Sequence, residues 1–212
     1  MLQLVRNLNI TDILLFPVIR LIFRAKQKGK ENIPKSGPVI IAANHLHAFD
    51  MFFISTFSRR SIRFLAKAEL FRNPFGRLIF RGAGAIPINR AAAGVESVNE
   101  VISSLEKGEA VGIFPQGTRI PRKNPAETKI KSGIGLIAYH AKATVLPVFI
   151  GAKGMKIRPF RKTEVRFGKP IAFDELGFEN GGIDEYRHAS EMIFEKICEL
   201  GKDISSSAEE KQ

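Results

Sequence analysis

Short apolar runs recur along the chain with helical patterns between them. VIIAA (39–43), IRFLA (62–66), GAIPI (84–88), AVGIF (110–114), TVLPVFIG (144–151) and EVRFG (164–168) are bounded by turn residues and are too short for helices. Runs of that length and composition suit buried strands. Between them, Val95, Val98, Val101, Ile102 and Leu105 repeat at helical spacing, with Lys107 in the last turn and Gly108 as a stop. Residues 49–57 and 134–141 also read as helices, and 184–200 as an amphipathic one with Tyr186, Ile193, Ile197 and Leu200 on one face. Strands alternating with helices predict an α/β fold, with a mixed, largely parallel sheet flanked by helices.

A chain of 212 residues can bury one substantial core. Its 33 Lys and Arg outnumber 21 Asp and Glu, leaving a net charge of +12. Such a surface attracts polyanions, whether nucleic acid, an acidic carrier protein or anionic lipid. The aromatic–basic interleaving of a recognised RNA-binding motif is absent, so no nucleic acid is expected. The single cysteine, Cys198, excludes an internal disulfide and reads as a packing residue in the last helix.

ILLFPVIRLIF (13–23) is apolar apart from Arg20, and the basic residues Arg24, Lys26, Lys28 and Lys30 follow. As a helix it would cover only ~16 Å against roughly 30 Å of hydrocarbon, so it does not span a bilayer. An apolar face beside a cationic cluster suits an amphipathic segment at an anionic membrane interface; a first helix packed on the domain suits the same residues. The expected division is a membrane-interface segment at 1–27, the main domain at 28–204 and a polar tail at 205–212.

Polar clusters stand just past several of the runs. VIIAA leads into NHLHAFD (44–50), GAIPI into Asn89 and Arg90, and AVGIF into PQGTR (115–119). Ligands collect at the carboxyl ends of strands in open α/β sheets. A histidine used as a base needs a fixed tautomer, and a carboxylate on its second nitrogen supplies one. His45 and Asp50 could form such a pair if a helix starts soon after the histidine. The spacing alone fits more often a locally bonded histidine with Asp50 capping a helix. His47 is a rival base that would face another way. No metal is expected, because neither histidine has cysteine partners and no H-E-x-x-H occurs. In PQGTR, Gly117 permits a tight turn, Thr118 adds a hydroxyl and Arg119 a planar cation suited to phosphate.

N-H-x4-D, then Gly84-x-Ile86-x-x-x-Arg90, then F-P-x-G-T-R, then L-P-V (146–148) occur in one order, and GKENIPKSGPVIIAANH and KSG (131–133) fit the same pattern. From about residue 28 to 170 the chain resembles the 1-acylglycerol-3-phosphate acyltransferases, within the wider glycerophospholipid acyltransferase group. The resemblance implies an acyl transfer from acyl-CoA or acyl-carrier protein, as co-substrate and without a further cofactor. The acceptor would be the 2-hydroxyl of a lysophosphatidate. His45 would be the general base and Asp50 its orienting partner. Arg90, Gln116, Gly117, Thr118 and Arg119, with Lys67 in support, would bind substrate, and Pro147 and Val148 would shape the pocket floor. A peripheral or monotopic place on the cytoplasmic face of an anionic membrane is implied too.

Two positions depart from the family pattern. Gln116 stands where Glu is usual, and Asn89 where an acidic residue is common; both changes make the site more cationic. The same chemistry on a different glycerol-phosphate or lysophospholipid acceptor is one alternative. A non-catalytic module binding anionic lipid or nucleic acid is another.

Overall fold

Strand β2 (Val39–Ala43) is hydrogen-bonded on both edges and covered on both faces, which is why VIIAA contains no polar residue. It pairs in parallel with β5 (Ala110–Ile113) on one side and β6 (Thr144–Gly151) on the other. The computed structural model describes residues 10–58, 60–82, 84–88 and 95–206, and among these seven strands form one sheet. Beyond β5 come β3 (Ile62–Lys67) and β4 (Ile86–Ile88), again parallel. Beyond β6, β7 (Glu164–Phe167) runs antiparallel, and β1 (Lys26–Lys28) pairs in parallel with β7 at the far edge. The sheet is therefore mixed and mainly parallel.

Alternation along β2 divides the core in two. Val39, Ile41 and Ala43 face Phe16, Ile19, Phe53, Ile62 and Phe64. Ile40 and Ala42 face Val101, Leu105, Ile134, Ile193 and Ile197. Helices α1 (Ile10–Ile22), α2 (Asp50–Ser55) and α3 (Pro74–Gly82) cover the first face. Helices α4 (Val95–Glu106), α5 (Gly133–Ala141) and α6 (Ile183–Leu200) cover the second. In α6 the buried set is Ala189, Ser190, Ile193, Phe194 and Ile197, the stripe that helical spacing requires.

Two consequences bear on function. First, β6, β2, β5 and β3 point the same way, so the loops that follow them leave from one edge of the sheet. Second, the opposite edge is tied shut. The Arg60 guanidinium donates to the carbonyls of Pro34 (3.1 Å), Gly37 (2.9 Å) and Gly108 (2.8 Å), all near the starts of β2 and β5. Arg63 nearby pairs with Glu109 at 2.9 Å and donates to the Ser104 hydroxyl.

Helix α1 packs one face on the domain and leaves another exposed. Phe16 and Ile19, with Phe23 just beyond, are buried in the first core, while Val18 and Leu21 are exposed. No described helix is long and apolar enough to cross a membrane. The segment expected to be a polar tail begins inside α7 (Lys202–Ser206), where Ser205 is buried against Met155; residues 207–212 lie outside the described ones. Strand β1 and helix α3 were not expected from the sequence.

Candidate active site

Asn44 ends β2 without ending its hydrogen bonding. Its side-chain amide donates to the Ile150 carbonyl (2.8 Å) and accepts from the Ile150 N–H (2.7 Å), so it continues the ladder to β6 as a backbone would. The main chain is thereby free to turn, and His45 emerges at the strand end. Helix α2 starts at Asp50, whose buried carboxylate folds back over the turn. Its Oδ2 lies 2.8 Å from His45 Nδ1 and also accepts the N–H groups of Leu46 (2.6 Å) and His47 (2.8 Å). The spacing left open a dyad or a helix-start carboxylate, and the geometry combines them. One oxygen holds both the turn and the imidazole.

That arrangement dictates the tautomer. An ionised carboxylate only accepts, so Nδ1 carries the proton and Nε2 is left as the basic nitrogen. Hydrogen bonds to a charged acceptor are worth about 1.5–3 kcal/mol each, which offsets burying the carboxylate. The ring plane is fixed from the side as well. His45 stacks on Phe114, with centroids 4.1 Å apart and planes 13° apart. Phe114 in turn stacks on Phe64 at 5.8 Å. Phe64 sits over Gly112, its register partner on β5, so closely that a Cβ there would lie 2.0 Å from the ring. The imidazole is the top of a short aromatic column standing on a glycine.

Gln116 braces the same histidine from behind. Its Oε1 accepts the His45 backbone N–H at 2.7 Å, and its Nε2 donates to Thr128 Oγ1 at 2.8 Å. The Thr128 hydroxyl donates onward to the Pro125 carbonyl at 2.6 Å. The amide is buried, with both ends engaged, and it ties the base to the loop after β5. A glutamate could still accept from His45, but it would set an acceptor against Thr128, whose hydroxyl would then have to release Pro125.

The remaining expected residues fall into three groups. Gly117, Thr118 and Arg119 form an exposed turn just beyond Gln116, and Gly117 adopts a left-handed φ of 66° that a side chain would strain. Lys67 is exposed at the end of β3, on the same edge. Pro147 and Val148 are buried in β6 opposite Ala42 and Ala43. Arg90 and Asn89 lie outside the described residues. Lys131, noted in the sequence only as part of KSG, returns to this turn: its N–H donates to the Pro115 carbonyl at 2.9 Å, and its side chain lies against Gly117.

His47 packs its ring among Phe23, Phe49 and Phe53, and its Nδ1 accepts the Phe49 N–H at 3.3 Å. Burial, together with the Arg119 and His45 charges, holds it below the ordinary histidine value despite Asp50 nearby. Cys198 is pushed up to about 11 by burial and by Glu195 and Glu199, so its thiol stays protonated.

The described site is thus that of an α/β protein with a carboxylate-braced imidazole at a strand end, beside an exposed cationic turn. Residues 24–151 match the family model described as Acyltransferase. A 1-acyl-sn-glycerol-3-phosphate acyltransferase of Borreliella burgdorferi is 33% identical over 169 residues, covering 78% of this chain and 60% of that protein. One of Bacillus subtilis is 30% identical over 149 residues, covering 69% of this chain and 73% of the relative. The chain thus spans less than two thirds of the first relative's length and rather more of the second's. Among solved structures, the 1-acyl-sn-glycerophosphate (LPA) acyltransferase PlsC from Thermotoga maritima superimposes with a TM-score of 0.63, covering 89% of this chain and 80% of that one at 24% identity. The likeness extends the fold to nearly the whole chain. The protein belongs to the acyltransferase family.

Proposed function

We propose that this protein transfers a fatty acyl group from an acyl thioester, acyl-CoA or acyl-carrier protein, to the 2-hydroxyl of 1-acyl-sn-glycerol 3-phosphate, giving phosphatidic acid. The observation that carries the proposal is the His45 Nδ1–Asp50 Oδ2 contact of 2.8 Å, on an oxygen held by two further backbone N–H groups. It leaves Nε2 as a base at the edge where the cations gather. The names of the relatives supply the acceptor.

The proposed steps use that geometry. Nε2 of His45 takes the proton of the acceptor hydroxyl as that oxygen attacks the thioester carbonyl. The C–O bond forms and a tetrahedral oxyanion results. When the intermediate collapses, the C–S bond breaks and the imidazolium returns its proton to the departing thiolate. Asp50 stabilises the imidazolium between these two events and does not itself take the proton. No acyl-enzyme arises. Positioned proton transfer of this kind contributes about 10²–10⁴-fold to rate. Arg119, Gly117 and Thr118, with Arg90 and Lys67, hold the acceptor's phosphate, and a guanidinium fits it as a planar pair of donors. Gln116 keeps the base's backbone in place and does so without adding a charge.

The reading includes a place on the membrane. Val18 and Leu21 of α1 and Phe75 and Leu78 of α3 are exposed apolar residues on two helices that touch each other, with Arg20, Arg77 and Arg81 on the same helices. Such a face lies in an anionic interface without spanning it. Because Phe16, Ile19 and Phe23 are core residues, truncating the N-terminus would damage the fold before it reported on membranes.

The test is thiol release from acyl-CoA and acyl-carrier protein with a panel of lyso-acceptors. The wild type is expected to turn over lysophosphatidate. His45→Ala is expected to lose at least 10³-fold in kcat while keeping its thermal unfolding profile. Normal turnover by that variant overturns the mechanism.

A further inference from the structure

A second cationic feature lies beside the exposed turn, and the acceptor does not account for it. A cleft of about 390 Å³ opens between the loop after β5 and the loop after β6. Its wall includes Leu46 and His47, the two residues whose N–H groups hold Asp50, so it shares the dyad's own loop. Facing them are Arg122, Met155, Lys156 and Arg158. No carboxylate pairs with Arg122, Lys156 or Arg158 among the described residues.

The cleft is built rather than incidental. The Arg122 N–H donates to the Met155 carbonyl at 3.2 Å, which joins the two loops across the opening. Both residues hold left-handed backbones, with φ of 63° and 50°. That conformation costs a side-chain-bearing residue roughly 1–2 kcal/mol, so the rest of the structure fixes it there. Lys156 feels the two neighbouring guanidinium charges. Burial, then the Arg122 and Arg158 charges, lower Lys156 from the ordinary lysine value. An anion in the cleft would relieve that repulsion, and a doubly charged phosphate ester would match it best.

We infer that this cleft is a second phosphate subsite that receives the phosphorylated arm of the acyl donor, leaving the Arg119 turn to the acceptor. The inference rests on the acyltransferase reading. Acyl transfer brings two phosphate-bearing substrates to one base. A lysophosphatidate offers a single phosphate, which the Arg119 turn takes. The thioester donors carry theirs at the far end of a pantetheine arm, and the cleft lies one loop away from the imidazole. Its apolar wall of Leu46, Met155 and Ile157 suits the arm, and its cations suit the phosphate.

The experiment measures binding and turnover separately. Free coenzyme A, holo-acyl-carrier protein and lysophosphatidate are titrated by calorimetry, which needs no catalysis, against the wild type, R122Q/R158Q and K156Q. Lys107→Gln, exposed in the turn just past α4, controls for net charge. The charge-removed cleft is expected to weaken coenzyme A and carrier-protein binding by at least tenfold, and lysophosphatidate binding by less than twofold. R122K/R158K is expected to recover most of the loss, and this arm also separates a binding defect from misfolding. The KM for acyl-CoA is expected to rise accordingly, while that for an acyl N-acetylcysteamine thioester, which lacks phosphate, follows the wild type. Weakening confined to lysophosphatidate would give the cleft to the acceptor and overturn the inference, as would unchanged binding of all three. Donor binding lost in the variants of a protein that acylates no acceptor would leave the subsite standing and bring down the acyltransferase reading instead.

Discussion

The two edges of the sheet use the same residue types to opposite ends. At the amino-terminal edge Arg60 spends its guanidinium on three backbone carbonyls, and Arg63 on Glu109 and Ser104. At the carboxyl edge Lys67, Arg119, Arg122, Lys131, Lys156 and Arg158 have no carboxylate partner among the described residues. Asp50, the carboxylate at the start of α2 in that loop cluster, is committed to His45 and two N–H groups. Cations with partners hold the fold together; those without are left open to an anion from outside. The net charge of +12 is therefore not an even coat. Part of it is concentrated at the carboxyl edge, and a cleft lined by one sign of charge raises the local concentration of oppositely charged ligands.

Substitutions on the two edges should separate stability from kinetics. Asp50→Asn is expected to have the largest effect. It lowers kcat by about 10²–10⁴-fold, because a neutral amide neither fixes the Nδ1–H tautomer nor stabilises the imidazolium. Steady-state rates beside a thermal melt check this, and a kcat within tenfold of wild type would break the assignment of the dyad. Arg60→Ala, at the other edge, comes next. It strands three carbonyls that a charged donor served, and is expected to cost about 2–4 kcal/mol in denaturant unfolding with both KM values unchanged. Arg119→Ala has the smallest expected effect, about 1–2 kcal/mol, seen as a roughly tenfold higher KM for the phosphorylated acceptor with no shift in melting temperature. A loss of stability from Arg119→Ala, or a change of KM from Arg60→Ala, would erase the distinction between the edges.

The sequence displayed the inner half of this design better than the outer half. β2 and β6 were readable to the residue because strands buried on both faces can hold only apolar side chains, and their runs are uninterrupted. The contact between His45 and Asp50 was readable because both lie in one local turn. What the sequence hid depends on chain segments that return from a distance. Thr128 and Lys131 reach the site only because the loop after β5 folds back on it, and Phe114 becomes a platform only through its neighbours on β2 and β3. Gln116 was expected to touch substrate and stands behind the histidine, a difference set by which way one side chain turns at the end of β5. The edge strand β1, KQK, has no apolar pattern to announce it. Helix α3 begins with Pro74 and Phe75, keeps Leu78 outside, and buries only a narrow stripe, so its periodicity does not point inward.

Gly112 ties the placement of His45 to a position on β5 two rings away. A single added methyl group there would have to lift Phe64, tilt Phe114 and slide the imidazole across the mouth of the site. The floor of the aromatic column thus sets where the imidazole two rings above it sits, and that floor admits no side chain larger than hydrogen unless the whole pile is rebuilt with it.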